Sequence, residues 1–144
     1  MSAVSVTIAQ TADPELVEAF ARLLPQLSAS AAALSSATLA QIVAAPGNDV
    51  FVARAAGRIV GTLTLVHFRI PTGMRAWIED VVVDGQARGL GVGQALVRAA
   101  VARSRELGAR TLDLTSHPGR AAAHGLYEKA GFAVRDTRVY RHQG

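Results

Sequence analysis

The segment Arg88-Gly89-Leu90-Gly91-Val92-Gly93 constrains this chain more than any other, because it joins a β-patterned run, residues 78–83, to a helix-patterned run that begins near Gly91. Glycines at alternate positions let the main chain take positive φ and let a ligand approach where a Cβ would otherwise stand. The first turn of a helix leaves backbone N–H groups unpaired, and those donors, the helix dipole and Arg88 together favour a bound diphosphate. Such glycines also serve ordinary tight turns, so the spacing alone leaves both readings open. Two other phosphate loops are excluded by the letters. A P-loop requires Lys-Ser or Lys-Thr after its last glycine, where this chain has Gln94-Ala95. The G-x-G-x-x-G dinucleotide fingerprint would place its third glycine one position beyond Gly93.

A chain of 144 residues suits a single domain, 1–144, that buries about two-thirds of its extended surface. Cysteine is absent, which rules out thiol nucleophiles, disulfides and cysteine-ligated zinc and fits a reducing cytoplasm. Residues 1–10 lack the pattern of a signal peptide, and no apolar run approaches membrane-spanning length, so a cytoplasmic protein without a membrane partner is expected. The formal charge of +4 comes from 14 Arg and one Lys against 11 acids, dispersed along the chain, and aromatics are 5%. Dispersed charge with few aromatics argues against a nucleic-acid partner.

Local patterns predict a strand over residues 4–9, then a helix opened by Asp13-Pro14 and running to about Leu24. A Ser/Ala-rich connection, 27–36, leads to a short helix over 38–45. Strands are expected at 49–55 and 58–68 around an Ala56-Gly57 turn, and at 76–83 after Pro71-Thr72-Gly73. Val92, Leu96, Ala100 and Leu107 mark a helix ended by Gly108. A strand over 111–116, a helix over 120–130 and one or two terminal strands in 132–141 complete the order β-α-α-β-β-β-α-β-α-β(-β).

Two segments flank the glycine loop: Trp77-Ile78-Glu79-Asp80-Val81-Val82-Val83 before it, and Leu126-Tyr127-Glu128-Lys129-Ala130-Gly131-Phe132 after it. With these the chain resembles the GNAT superfamily of acetyl-CoA-dependent N-acetyltransferases. The family's [Gln/Arg]-x-x-Gly-x-[Gly/Ala] motif is matched by Arg88, Gly91 and Gly93, and its later Tyr-Glu-x-x-Gly-Phe type of motif by residues 127–132. The resemblance implies an α/β (α+β) fold with a mixed, mostly antiparallel sheet of six to seven strands, splayed between the fourth and fifth, and helices on both faces. It implies acetyl-CoA as co-substrate, with its pantetheine arm in the splay against Val81, Val82 and Val83. The diphosphate then falls to Arg88, Gly89, Leu90, Gly91, Val92, Gly93 and Gln94. Family members often carry an asparagine seven residues before the motif tyrosine, where this chain has Arg120. Arg120 reaches a CoA phosphate or stands in solvent at a helix start, and Ser116 is the candidate replacement for the amide contact.

An amine acceptor is mostly ammonium at neutral pH, so a proton must leave before attack, and a carboxylate can take it directly or through water. Glu79 is the first candidate and Asp80 its substitute, although an acid near a strand start is as often merely solvated. Strict alternation would place Trp77, Glu79, Val81 and Val83 on one face and Ile78, Asp80 and Val82 on the other, so only one acid would face the cleft. The Val81 N–H is the candidate donor to the oxyanion. The resemblance assigns Tyr127, which also binds in the cofactor region, to protonate the departing thiolate; its helical spacing with Ala123 and Ala130 suits core packing too.

His117 and His124 are lesser candidates. No G-x-S-x-G elbow exists for hydrolysis, and the scattered histidines show no metal-binding spacing, so no metal is expected. The acceptor is a primary amine, on a small molecule or a protein, and Arg69, Arg75 and Trp77 either greet an anionic group on it or stay solvated. A homodimer through the terminal strands and a monomer are both open. The rival reading is a non-catalytic acyl-CoA-binding sensor or accessory subunit.

Overall fold

The computed structural model describes residues 3–117 and 121–144. Strand β1 is Val4–Ile8, β2 Asn48–Ala55, β3 Arg58–Ile70, β4 Gly73–Val83 and β5 Thr111–Asp113; the helices are α1 Pro14–Leu27, α2 Ser36–Ala44, α3 Val92–Glu106 and α4 Ala121–Lys129. The sheet runs in chain order, β1-β2-β3-β4-β5. Its first four strands are antiparallel, and β5 is parallel to β4. Ala56 and Gly57 both take positive φ, +52° and +76°, the geometry a two-residue hairpin requires between β2 and β3.

Period-two alternation sends side chains to two cores. Phe51, Ala53, Leu63 and Leu65 pack with Val92, Leu96, Val97 and Ala100 of α3, and Leu126 and Tyr127 of α4 join that face. Val50, Val52 and Ile59 pack on the opposite face with Leu16, Ala19, Phe20 and Leu23 of α1 and Leu39 of α2. Asp13 caps α1 by accepting from the Leu16 N–H at 2.9 Å, with Pro14 at the first helical position. Ser35 does the same for α2 through the Thr38 N–H. Arg103 of α3 donates to Asp49 of β2 at 2.8 Å, fixing the far end of that helix to the sheet.

The structure departs from the sequence reading in three places. The helix expected to end near Leu24 carries on through Pro25 to Leu27. Pro25 lacks an N–H, but the last turn is held by side-chain bonds to a neighbouring loop, described below. The strand expected over 111–116 pairs only as far as Asp113. Finally, the sheet has five strands among the described residues, not six or seven, because residues 132–144 form none. Three residues of β5 offer that segment little edge to pair with, and Arg135, Asp136, Arg138 and Arg141 interrupt its apolar residues. Val134, Val139 and Tyr140 stand exposed as a result.

Close approach of α3 to the sheet depends on Gly61. A Cβ there would lie 2.8 Å from Val92 Cγ1 and 3.1 Å from the Val82 carbonyl oxygen, and the second neighbour is backbone and cannot swing aside. Gly61→Ala is therefore expected to destabilise the fold by about 1–3 kcal/mol in urea unfolding; an unchanged midpoint would contradict this packing.

Candidate active site

Backbone pairing fails at two adjoining points on β4. On the β3 side, Thr62 pairs with Val82 and Thr64 with Glu79, so Leu63 alone stands opposite Asp80 and Val81. This is a β-bulge, and Asp80 carries it at φ +50°, a left-handed conformation that aspartate tolerates better than most residues. On the β5 side, pairing runs from Arg75↔Thr111 to Trp77↔Asp113 and then stops, while β4 continues to Val83. The two strands part just where the bulge bends β4.

The bulge corrects the expected alternation. Ala76 and Ile78 face the α3 core, and beyond the extra residue Val81 and Val83 face it as well, while Val82 joins the α1 side. Glu79 therefore does not share a face with Val81 and Val83. Nor does only one acid reach the cleft: Glu79 and Asp80 are both exposed, and both border the same cavity.

After β4, the chain turns through Gly85–Ala87 into the glycine loop. The Asp84 N–H bonds the Val60 carbonyl at 2.8 Å, and Asp84 Oδ1 accepts from the Gln86 N–H at 3.0 Å, an Asx turn that starts the loop. Gly89 and Gly91 take φ of +83° and +78°, and nothing lies within 4 Å of where their Cβ atoms would be. Gly91 is the N-cap of α3 and supplies no side-chain acceptor, so the N–H groups of the first turn, at Val92, Gly93 and Gln94, are left for a ligand. Gly93 serves packing: a Cβ there would sit 3.2 Å from Leu126 Cδ2 of α4.

Helix α1 holds this loop from the opposite face of the sheet. Arg22 donates to Asp84 Oδ2 at 2.8 Å and to the Ile59 carbonyl at 3.2 Å, and Gln26 Oε1 accepts from the Gly85 N–H at 2.8 Å. The Asp84 side chain is 7% exposed, unlike the Arg54–Glu15 pair at 32% and 48%, so of these two the loop pair carries the stabilising weight. The Gln86 N–H holds the Asp84 carboxyl below the ordinary carboxylate range against its burial, with Arg22 and Gln26 adding to the effect.

Two adjoining cavities lie along the end of β4 that β5 leaves unpaired. The wider, about 880 Å³, is bordered by Val81, Val82, Val83, Arg88, Gly89, Gly91, Val92, Gly93 and Gln94, with Gln26 and Leu126 on its rim. The narrower, about 270 Å³, is bordered by Ile78, Glu79, Asp80, Val81, Leu114, Ser116, His117 and Tyr127. Leu27, Val81 and Ala123 border both, so the two form one groove.

The structure thus gathers Glu79, Val81, Ser116 and Tyr127 at one end and the loop residues at the other. Leu90 borders neither cavity and is 44% exposed. Arg120 lies outside the described residues. Tyr127 is half-buried, meets Phe132 edge-on with ring centroids 6.1 Å apart, and still borders the narrow cavity, so packing and exposure to the cleft coexist. Arg69, Arg75 and Trp77 border neither cavity, and Arg75 instead braces Thr72 and Thr111.

The residues missed from sequence are Arg22, Gln26 and Asp84. Asp84 before Gly85, directly after a strand, carried a readable turn signal. Arg22 and Gln26 share a helix face, but nothing local points them at a loop some sixty residues on. Among the described residues, no three His, Asp or Glu side chains group as metal ligands, and no helix is long and apolar enough to cross a membrane.

Comparison with known proteins points the same way. Residues 15–132 match the acetyltransferase (GNAT) family. A glucosamine 6-phosphate N-acetyltransferase of Trypanosoma brucei brucei is 36% identical over 95 residues, 64% of this chain and 63% of that protein. A mycothiol acetyltransferase of Propionibacterium freudenreichii subsp. shermanii is 40% identical over 57 residues, 40% of this chain and 18% of that protein. The matches therefore span less than two thirds of these curated relatives. A crystal structure of a Trypanosoma brucei acetyltransferase superposes with a TM-score of 0.78 at 28% identity, covering 98% of this chain and 100% of that one.

The Asp84 pair yields a pH test. A carboxyl held low in the folded state contributes stability that is complete above its ordinary pKa of about 3.9 and is lost as pH falls through the lower folded value. Asp84→Asn is expected to lose about 2 kcal/mol at neutral pH. In urea unfolding, the gap between the two proteins should narrow below about pH 4, and a gap of constant size down the acid limb would contradict the assignment.

Proposed function

The chain belongs to the acetyltransferase (GNAT) family, whose members use acetyl-CoA, and from that premise we propose that it moves an acetyl group from acetyl-CoA to a primary amine by direct attack within a ternary complex. One observation carries this reading: β4 and β5 part beside a bulge, and two adjoining cavities there are bordered by a glycine loop at the start of α3 and by Glu79, Asp80 and Tyr127.

The chemistry of the groove suits the co-substrate. Main-chain groups of Val81, Val82 and Val83, left without a β5 partner, can pair with amides of a pantetheine arm as a strand edge does. Arg88 and the first-turn N–H groups of α3 suit a diphosphate, with Gly89 and Gly91 letting it approach the main chain. Acetyl-CoA supplies the activated acyl group as a thioester.

The remaining work falls to residues of the chain. Glu79 or Asp80 takes the proton from the acceptor ammonium, directly or through water. The bulge supports this sharing, since both acids border the narrow cavity and either can substitute for the other. The Val81 N–H, in the disrupted part of the ladder, is the donor proposed for the oxyanion. Tyr127 holds the proton that the departing thiolate requires, and Ser116 lies across the cleft in the position proposed for a pantetheine contact. The acceptor is assigned only as a primary amine.

The test is a panel of amines with acetyl-CoA and a thiol assay for released CoA. Tyr127→Phe should lower kcat about a hundredfold with KM for acetyl-CoA unchanged, and Glu79→Gln should lower it far less than the Glu79→Gln, Asp80→Asn pair. Full turnover in Tyr127→Phe removes it as the acid. Tight acetyl-CoA binding with silence across the panel favours an acyl-CoA sensor instead.

A further inference from the structure

The last turn of α1 has a feature that cofactor binding alone does not account for. Pro25 deprives that turn of a backbone hydrogen bond, and a helix end so weakened would fray. Instead it is fastened: Gln26 Oε1 takes the Gly85 N–H at 2.8 Å, and one turn earlier Arg22 bonds Asp84 at 2.8 Å and the Ile59 carbonyl at 3.2 Å. The residue that this fastening fixes in place is Leu27, the last of the helix.

Leu27 borders both cavities, and among the described residues it shares that position with Val81 and Ala123. Val81 is part of the bulged strand, and Ala123 contributes a single methyl group. Among the described residues, Leu27 is therefore the one large side chain at the junction that comes from outside the sheet. On the reading given above, the pantetheine arm runs along Val81, Val82 and Val83 and the oxyanion meets the Val81 N–H, which puts the thioester carbon beside Val81 at the junction, with its acyl chain extending past Leu27.

We propose that Leu27 is a specificity-determining residue that limits the length of the acyl group, admitting acetyl and excluding longer straight chains such as butyryl. This rests on the acyl-transfer reading. The mechanism is steric and uses the fastening: a leucine on a fraying turn would yield to a longer chain, whereas one held within two residues of a bonded loop has nowhere to retreat. A methylene that fits or fails to fit an apolar pocket changes discrimination about 10–200-fold. Leu27 also contacts the α1-side core, so a purely structural role is the competing account.

The experiment measures binding of CoA, acetyl-CoA and butyryl-CoA by calorimetry to the intact protein and to Leu27→Ala, Leu27→Phe and Leu27→Met. Leu27→Ala should raise the affinity for butyryl-CoA relative to acetyl-CoA by at least about tenfold. Leu27→Phe should weaken acetyl-CoA relative to CoA, and Leu27→Met, of nearly equal volume, should keep both the fold and the preference for acetyl. A purely structural role would weaken all three ligands together. An acetyl-to-butyryl ratio that is the same in all four proteins overturns the proposal while CoA binding leaves the acyl-transfer reading standing. If no CoA species binds the unmodified protein, both fall.

Discussion

Everything that makes this sheet more than a packed β-meander follows from an interruption in backbone pairing along β4. A strand in the middle of a sheet normally has both rows of N–H and C=O groups satisfied by its neighbours. Here one row loses its partner when β5 ends at Asp113, and the other is disturbed where Leu63 faces both Asp80 and Val81. Buried main-chain groups without partners are costly, so such a site persists only if something polar, solvent or ligand, can reach it. The groove between the strands provides that access, and it is the same groove that the glycine loop opens onto.

The loop needs support because its own chemistry makes it soft. Two glycines at positive φ and an N-cap without a side chain give donors to a ligand but little conformational preference of their own. The support comes from α1 on the other face of the sheet, through one largely buried ion pair and one amide bond to the main chain. The consequence is a link between two parts of the fold: the helix whose last residue borders both cavities is fastened to the start of the glycine loop.

Much of this was legible before any coordinates. Helix α3 follows from Val92, Leu96 and Ala100 at helical spacing, the β2–β3 turn from Ala56-Gly57, and the loop from its glycines. The bulge was not, since Val81-Val82-Val83 looks the same whether or not the alternation slips, and the error put Glu79 on the wrong face. The extra turn of α1 was hidden because Pro25 is a local stop signal that tertiary bonds to Gly85 override. The terminal strands were expected from local pattern and from the resemblance, and neither forms a strand when the edge it needs is three residues long. The misses share a cause: each depends on a partner distant in sequence.

The most direct test of the account is hydrogen–deuterium exchange on the intact protein with and without saturating acetyl-CoA. If the parted strand and the open helix start hold the ligand, amides in peptides covering residues 79–84 and 89–95 slow on addition, while those of the β1–β2 ladder keep their rates. Bound acetyl-CoA that leaves both of those peptides exchanging as before would contradict it.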